Sequence, residues 1–155
     1  MLQNDGQLQV HVPQQHEETL LMRLKESIDE ILARTDSQFA ESFYGLLFHQ
    51  HPELRKFFSE TDMRVQKSKL TMALQVVAYH HRHPNAAMSD FIEHLGSMHR
   101  LLKIAPLDLF KFRDVLLAAI ENFHGDNWSE ALGHEWSEAL DHAIELMNAD
   151  ADTTS

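Results

Sequence analysis

The sequence predicts an all-α domain. Apolar residues recur every three or four positions along most of the chain, which is the period of a helix with one buried face. No stretch alternates apolar and polar residues as a half-buried strand does, and no heptad repeat is sustained, so neither a sheet nor a coiled coil is indicated. The 155 residues, of which 43% are hydrophobic, suffice for one domain with a sizeable core.

The N-terminal part of the chain combines an expected tail with the first two helices. Residues 1–15 are Gln-rich and lack a period, so we expect a flexible tail there. The first helix is predicted from about His16 to Arg34, and its inward residues include Leu24, Ile28, Ile31 and Leu32. Thr35-Asp36-Ser37 then breaks the pattern and caps a second helix, predicted over residues 38–50.

Prolines and cap residues divide the rest of the chain. Pro52 begins a short helix, PELRKFF, because proline is tolerated at a first helical position. Asp62 caps a long helix over residues 63–82, which Pro84 ends. Further helices are predicted over residues 88–104, from Pro106 to about residue 123, and over residues 128–148. The predicted domain therefore spans residues 16–148, followed by a flexible C-terminal tail over residues 149–155.

A histidine lies on the apolar face of the helix predicted over residues 88–104. His99 follows Ile92 by seven positions and Leu95 by four, so its ring points from the face that meets a core. Imidazole is the commonest metal ligand, and one helical histidine can hold haem iron from one side. Its other ring N–H is expected to reach the carbonyl oxygen of Leu95, which would fix the tautomer. By itself the pattern also allows a hydrogen-bonded core histidine.

Composition and charge exclude several classes of function. The net charge is −11, with 13 basic and 24 acidic residues, and such a surface repels the phosphates of a nucleic acid. The chain has no cysteine, which excludes disulfides, iron–sulfur clusters and thiol catalysis. No apolar run is long enough to span a membrane and no signal peptide is evident, so we expect a cytoplasmic protein without membrane contact.

A second group of histidines ends the helix over residues 63–82. His80 and His83 are three positions apart, a spacing that can chelate zinc or nickel if the helix persists. No third ligand is close in sequence. A polar helix end whose cations suit the helix dipole is therefore the favoured interpretation of the His80, His81 and His83 group.

Several local motifs together resemble a globin. They are FYGLLFHQHPELRKFF (residues 43–58), Gln66-Lys-Ser-Lys-Leu70, Leu95-Gly-Ser-Met-His99, Ile104-Ala-Pro106 and Glu135-Trp136. In order and spacing they are similar to the haem domain of bacterial flavohaemoglobins and of related single-domain globins, over nearly all of residues 17–148. The resemblance implies a three-over-three helical sandwich around haem b.

The resemblance also implies roles for individual residues. His99 corresponds to the proximal iron ligand, and Tyr44 and Gln66 correspond to distal groups that donate hydrogen bonds to a bound diatomic gas. Phe58 corresponds to the aromatic residue that packs flat on the haem. Lys69 is expected at the rim, either against a haem propionate or in solvent. The remaining expected haem contacts are apolar: Leu70, Leu95, Ile104 and Phe112.

Two departures from the flavohaemoglobin pattern qualify the implied function. Leu109 stands where that family has a tyrosine that supports the proximal histidine, and no reductase domain follows the last predicted helix. We expect a haem-b globin that binds O2, NO and CO reversibly. Oxidation of nitric oxide to nitrate would require an external reductase, and the sequence leaves open whether the chain is an enzyme. The alternative is a gas sensor or oxygen store that acts through a separate partner.

Overall fold

The computed structural model describes residues 22–34 and 38–149, and in these residues the regular elements are all helical, which confirms the all-α prediction. The α-helices are α1 (Leu24–Ala33), α2 (Gln38–Gln50), α3 (Met63–Arg82), α4 (Ala86–Leu101), α5 (Pro106–His124) and α6 (Glu130–Met147). Short 3-10 helices cover Pro52–Phe58 and Gly125–Asn127. No helix in the described ranges is long and apolar enough to cross a bilayer.

Some predictions fall on residues that the structure does not describe. The N-terminal tail over residues 1–15, the first residues of the first predicted helix, the cap at residues 35–37 and residues 150–155 of the C-terminal tail lie outside the described residues. Within the described residues, α1 begins at Leu24, where the Glu26 carboxylate accepts the backbone N–H of Arg23 and so caps the helix.

Local side-chain chemistry sets the ends of α3 and α4. Asp62 accepts the backbone N–H of Arg64 at 3.0 Å and begins α3 as predicted. In α4 the prediction is displaced: Asn85 accepts the N–H of Met88 at 3.0 Å, so the helix begins two residues earlier. It also ends earlier, because Lys103 has a φ of 63° and donates its N–H to the carbonyl oxygen of Arg100.

The core lies between packed helices. The helix α2 packs on α5, α1 packs on α3, and α6 packs on α3, α4 and α5. Its largest fully buried side chains are Trp136, Phe39 and Phe43. The predicted inward position of Leu32 is wrong, because this side chain is 36% exposed. Ser27, and not Leu32, is fully buried on the inner face of α1. The hydrogen bonds of its hydroxyl group explain this burial.

A buried hydrogen-bond chain joins three helices across the core. The indole Nε1–H of Trp136 on α6 donates to Oγ of Ser27 on α1 at 2.8 Å. The same oxygen lies 2.6 Å from Nε2 of His124 at the end of α5. Because Oγ accepts from the indole, its own hydrogen can be donated to a neutral His124 ring. Burial lowers the pKa of His124, outweighing the opposite effect of Glu30, and this favours that neutral form.

The protein is expected to lose stability in mild acid. The folded-state pKa of His124 lies below its ordinary value of 6.5, so below that pH the unfolded chain binds more protons than the folded one. The contribution is present above pH 6.5 and is lost as the pH falls toward the folded-state pKa. For each unit by which the folded-state pKa lies below the unfolded-state pKa, the free energy of unfolding falls by about 1.4 kcal/mol once the pH is below both pKa values. Urea unfolding of the haem-free protein between about pH 7.5 and pH 5 measures this.

A matched pair of variants assigns the acid sensitivity. His124→Gln keeps a nitrogen near Ser27 without a titratable ring, so its unfolding free energy should fall less steeply with pH than that of the wild type. His134→Gln changes an exposed histidine of α6 and should leave the slope unchanged. Equal slopes for His124→Gln and the wild type would contradict this assignment.

Candidate functional site

A cavity of about 340 Å³ opens between the helices. Its walls are mainly apolar, and the few polar side chains among them come from α2, α3, α4, α5 and, with Thr61, the segment before α3. A volume in the low hundreds of Å³, apolar walls and a few convergent polar groups are the usual features of a cofactor or small-molecule site. This cavity is therefore the candidate functional site.

Every side chain that the sequence analysis assigned to a haem site lines this one cavity. The helix α2 contributes Tyr44, and the first 3-10 helix contributes Phe58. The other predicted residues come from α3, from α4 and from the segment that begins α5: Gln66, Lys69, Leu70, Leu95, His99, Ile104 and Phe112. Lys69 is exposed as a residue and so lies at the rim, as expected. The structure brings these residues together, while their individual roles stay predictions.

Tyr44 and Gln66 form a hydrogen-bonded pair inside the cavity. The side-chain Nε2 of Gln66 donates to the phenol oxygen of Tyr44 at 3.0 Å. Burial raises the pKa of Tyr44 to about 12, although the hydrogen bond from Gln66 opposes the rise. The phenol therefore keeps its proton at neutral pH. Because its oxygen accepts from Gln66, the phenol O–H can be donated to a ligand in the cavity.

Aromatic rings fix the position of the Tyr44 side chain. The Phe58 ring lies 5.5 Å from the Tyr44 ring in an edge-to-face arrangement, and Phe48 lies 5.5 Å from Phe58. On the other side, the Phe58 and Phe112 rings are 6.0 Å apart. Such contacts add to the burial energy of each ring, so Tyr44 has little freedom to leave the cavity wall.

His99 presents a neutral imidazole to the cavity. Burial lowers its pKa, and the charge of Arg100 lowers it further, so the ring is uncharged at neutral pH, as a metal ligand must be. The nitrogen Nδ1 is fully buried and has no hydrogen-bond partner among the described residues. The expected bond to the Leu95 carbonyl oxygen is therefore absent. Because Nδ1 is shielded, Nε2 is the nitrogen left for a ligand in the cavity.

These residues fit a haem. An apolar cavity suits a flat porphyrin, Nε2 of a neutral His99 suits iron, and Lys69 at the rim suits a propionate. The buried and unpartnered Nδ1 also distinguishes His99 from an ordinary core histidine, whose ring nitrogens are normally hydrogen-bonded. His99, Phe58 and Lys69 are thus the residues that would hold the group.

Several lining residues were not predicted as site residues. Arg113 is the unexpected charged one, and its Nε and Nη2 bind the Asp141 carboxylate at 2.6 and 3.1 Å. The helical period had placed Met98 and Leu102 on the apolar face of the helix predicted over residues 88–104, and both line the cavity. On α6 the helical period indicated that Leu140, Ala143 and Met147 point inward, but not that they line the cavity together with Ile144.

The second histidine group has no third metal ligand beside it in the described part of the chain. Across residues 22–34 and 38–149, no set of three or more His, Asp or Glu side chains is arranged to hold a metal ion. His80 is buried, and its Nε2 lies 2.9 Å from the hydroxyl of Ser89. His83 is the C-cap of α3, and its backbone N–H donates to Tyr79.

One family model matches the part of the chain that contains the cavity. The Globin family model matches residues 41–147, which include every side chain that we placed at the site. No curated protein matches the chain. Globins bind haem and, through it, diatomic gases. The match covers more than half of the sequence and the whole cavity, and the chain therefore belongs to the globin family.

Proposed function

We propose that this globin binds haem b through Nε2 of His99 and holds a diatomic gas beside Tyr44 and Gln66. The 3.0 Å hydrogen bond between Gln66 and Tyr44, in the same cavity as His99, is the observation that carries the proposal. Because the phenol oxygen of Tyr44 accepts from Gln66, the phenol O–H can be donated to the ligand. The resemblance to flavohaemoglobin haem domains supports the proposal.

The two distal residues act as a donor chain. Gln66 Nε2–H polarises the phenol of Tyr44, which strengthens the hydrogen bond that its O–H donates to a ligand. A donor of this kind favours dioxygen, which takes on negative charge when bound, over neutral carbon monoxide. The apolar side chain of Leu70, one turn after Gln66, excludes water from this part of the cavity.

The proximal side differs from that of flavohaemoglobins. Leu109 lines the cavity without a hydrogen-bonding group, and Nδ1 of His99 has no acceptor among the described residues. An acceptor on Nδ1 would make the imidazole a stronger electron donor. Without one, the chain supplies little of the electronic push that cleaves an oxygen–oxygen bond, so feeble peroxidase activity follows.

We infer that the globin oxidises nitric oxide with the help of a separate reductase. A bound haem would supply the redox chemistry: nitric oxide, dioxygen and one electron give nitrate, so each turnover would need an electron from a donor protein. Tyr44 and Gln66 hold dioxygen for this reaction, and the cavity keeps bulk water away from it.

The dioxygen-loaded protein is expected to convert nitric oxide to nitrate once per reduction. Stopped-flow mixing with nitric oxide should give a fast first turnover, and steady-state turnover should rise with the concentration of an added reductase. Peroxidase turnover with hydrogen peroxide should be slow in the same preparation. A slow first turnover would reject the dioxygenase function in favour of sensing or storage. Fast peroxidase turnover would show that the proximal side matters less than we infer.

A further inference from the structure

The helix that carries His99 is locked against the last turn of α6. Gly96, one turn before Arg100 on α4, is buried. A Cβ atom built on Gly96 would lie 2.6 Å from Cα and 2.7 Å from the carbonyl carbon of Met147. Real Cβ atoms do not approach a backbone so closely, so only glycine permits this contact. The α4 backbone therefore touches the α6 backbone directly at this point.

Arg100, on the next turn of α4, also contacts Met147. Its Nη1 donates to the carbonyl oxygen of Met147 at 2.6 Å, and its Nη2 donates to the hydroxyl of Ser97 at 3.3 Å. The Met147 carbonyl is one of the last in α6, where carbonyls have no partner within the helix and a cation suits the dipole. The charged hydrogen bond thus caps α6 and ties it to α4.

We propose that Gly96 and Arg100 are positioning residues for His99. Gly96 precedes His99 in sequence, Arg100 follows it, and both contact Met147. Together they set the distance between α4 and α6 and the rotation of α4 about its own axis. His99 lies between them in the same turn, and Nδ1 has no hydrogen bond that would orient the ring. The position of Nε2 in the cavity therefore depends on the helix contact and not on a bond to the ring.

This inference rests on the proposed function, because it concerns His99 as the iron ligand. It predicts that loosening the contact changes the iron–histidine bond as well as the stability of the fold. Changes of residues that support a metal ligand typically cost about 10- to 100-fold in metal affinity. We expect haem loss to an excess of a haem-scavenging protein to become faster by that order in Gly96→Ala and Arg100→Met.

The experiment compares four variants of the haem-loaded protein. Gly96→Ala adds the forbidden methyl group, and Gly45→Ala is the matched control, because a Cβ at this helical glycine meets no atom within 4 Å. Arg100→Met keeps the apolar stem and removes the donor, whereas Arg100→Lys restores one donor. Resonance Raman spectra of the ferrous form report the iron–histidine stretching band. If Gly96 and Arg100 only stabilised the fold, their replacement would not shift this band.

The band should shift or broaden in Gly96→Ala and Arg100→Met, return toward the wild type in Arg100→Lys and stay unchanged in Gly45→Ala. An unchanged band with haem loss within about twofold of the wild type would overturn the proposal, even if both variants were less stable. If Gly96→Ala does not fold, Arg100→Met decides alone. A wild-type protein without an iron–histidine band would overturn the proposed function and this inference together.

Discussion

Replacement of His99 by alanine is expected to abolish the histidine-ligated haem spectrum. His99 carries the ring nitrogen that we assign to iron. Loss of this ligand removes the bond to iron and leaves apolar burial and the contact of Lys69 with a propionate to retain the porphyrin. Absorption spectra of the reconstituted protein, ferric and ferrous, measure this, with imidazole added afterwards to test whether a free ligand restores the band.

His94→Ala is the matched control for that experiment. His94 lies on the same helix one turn earlier and is exposed, so its loss should leave the spectrum unchanged. A His99→Ala protein that kept a histidine-ligated spectrum would show that another residue binds the iron. The assignment of the proximal side, and with it the interpretation of Nδ1, would then be wrong.

Tyr44→Phe is expected to speed the release of dioxygen by about one to two decades. The change removes the O–H donor and keeps the aromatic ring that packs against Phe58. A hydrogen bond to a charged acceptor is worth about 1.5–3 kcal/mol, and this sets the size of the effect. Flash photolysis or stopped-flow measurements give the release rate, and carbon monoxide release should change much less.

Comparison with two further variants separates the donor from its support. Gln66→Leu leaves the phenol in place without its polarising neighbour, so dioxygen release should speed up by less than in Tyr44→Phe. The double variant should differ little from Tyr44→Phe, because the two groups act as one chain. Tyr79→Phe removes an exposed phenol and should have no effect. Unchanged release in Tyr44→Phe would show that Tyr44 does not touch the ligand.

Helix boundaries could be predicted where a side chain determines them locally. Pro52, Asp62 and Pro106 each begin a helix at the predicted residue, because their preferred backbone angles or cap contacts act within one turn. The end of α4 could not be predicted in the same way. It depends on Lys103 adopting a positive φ, which the sequence does not indicate because glycine is the usual residue there.

Contacts between distant residues account for most of what the sequence did not predict. Periodicity identifies which face of a helix is buried, but not the partner of a polar group on that face. The sequence around Ser27 therefore did not predict the hydrogen bond with Trp136, and the sequence around Arg100 did not predict the hydrogen bond with Met147. The resemblance supplied the spatial relation of the site residues, which line one cavity, while their roles stay predictions. Even so, the direct bond between Gln66 and Tyr44 and the unpartnered Nδ1 of His99 required the structure.

Titration of the haem-free protein with haem tests whether the cavity holds one haem through His99, with a gas-binding face at Tyr44 and Gln66. We expect an absorption band at about 400–430 nm that saturates at one equivalent of haem and shifts reversibly when the ferrous form meets dioxygen or carbon monoxide. A band that fails to saturate at one equivalent, or a ferrous spectrum that neither gas changes, would contradict haem binding at this site.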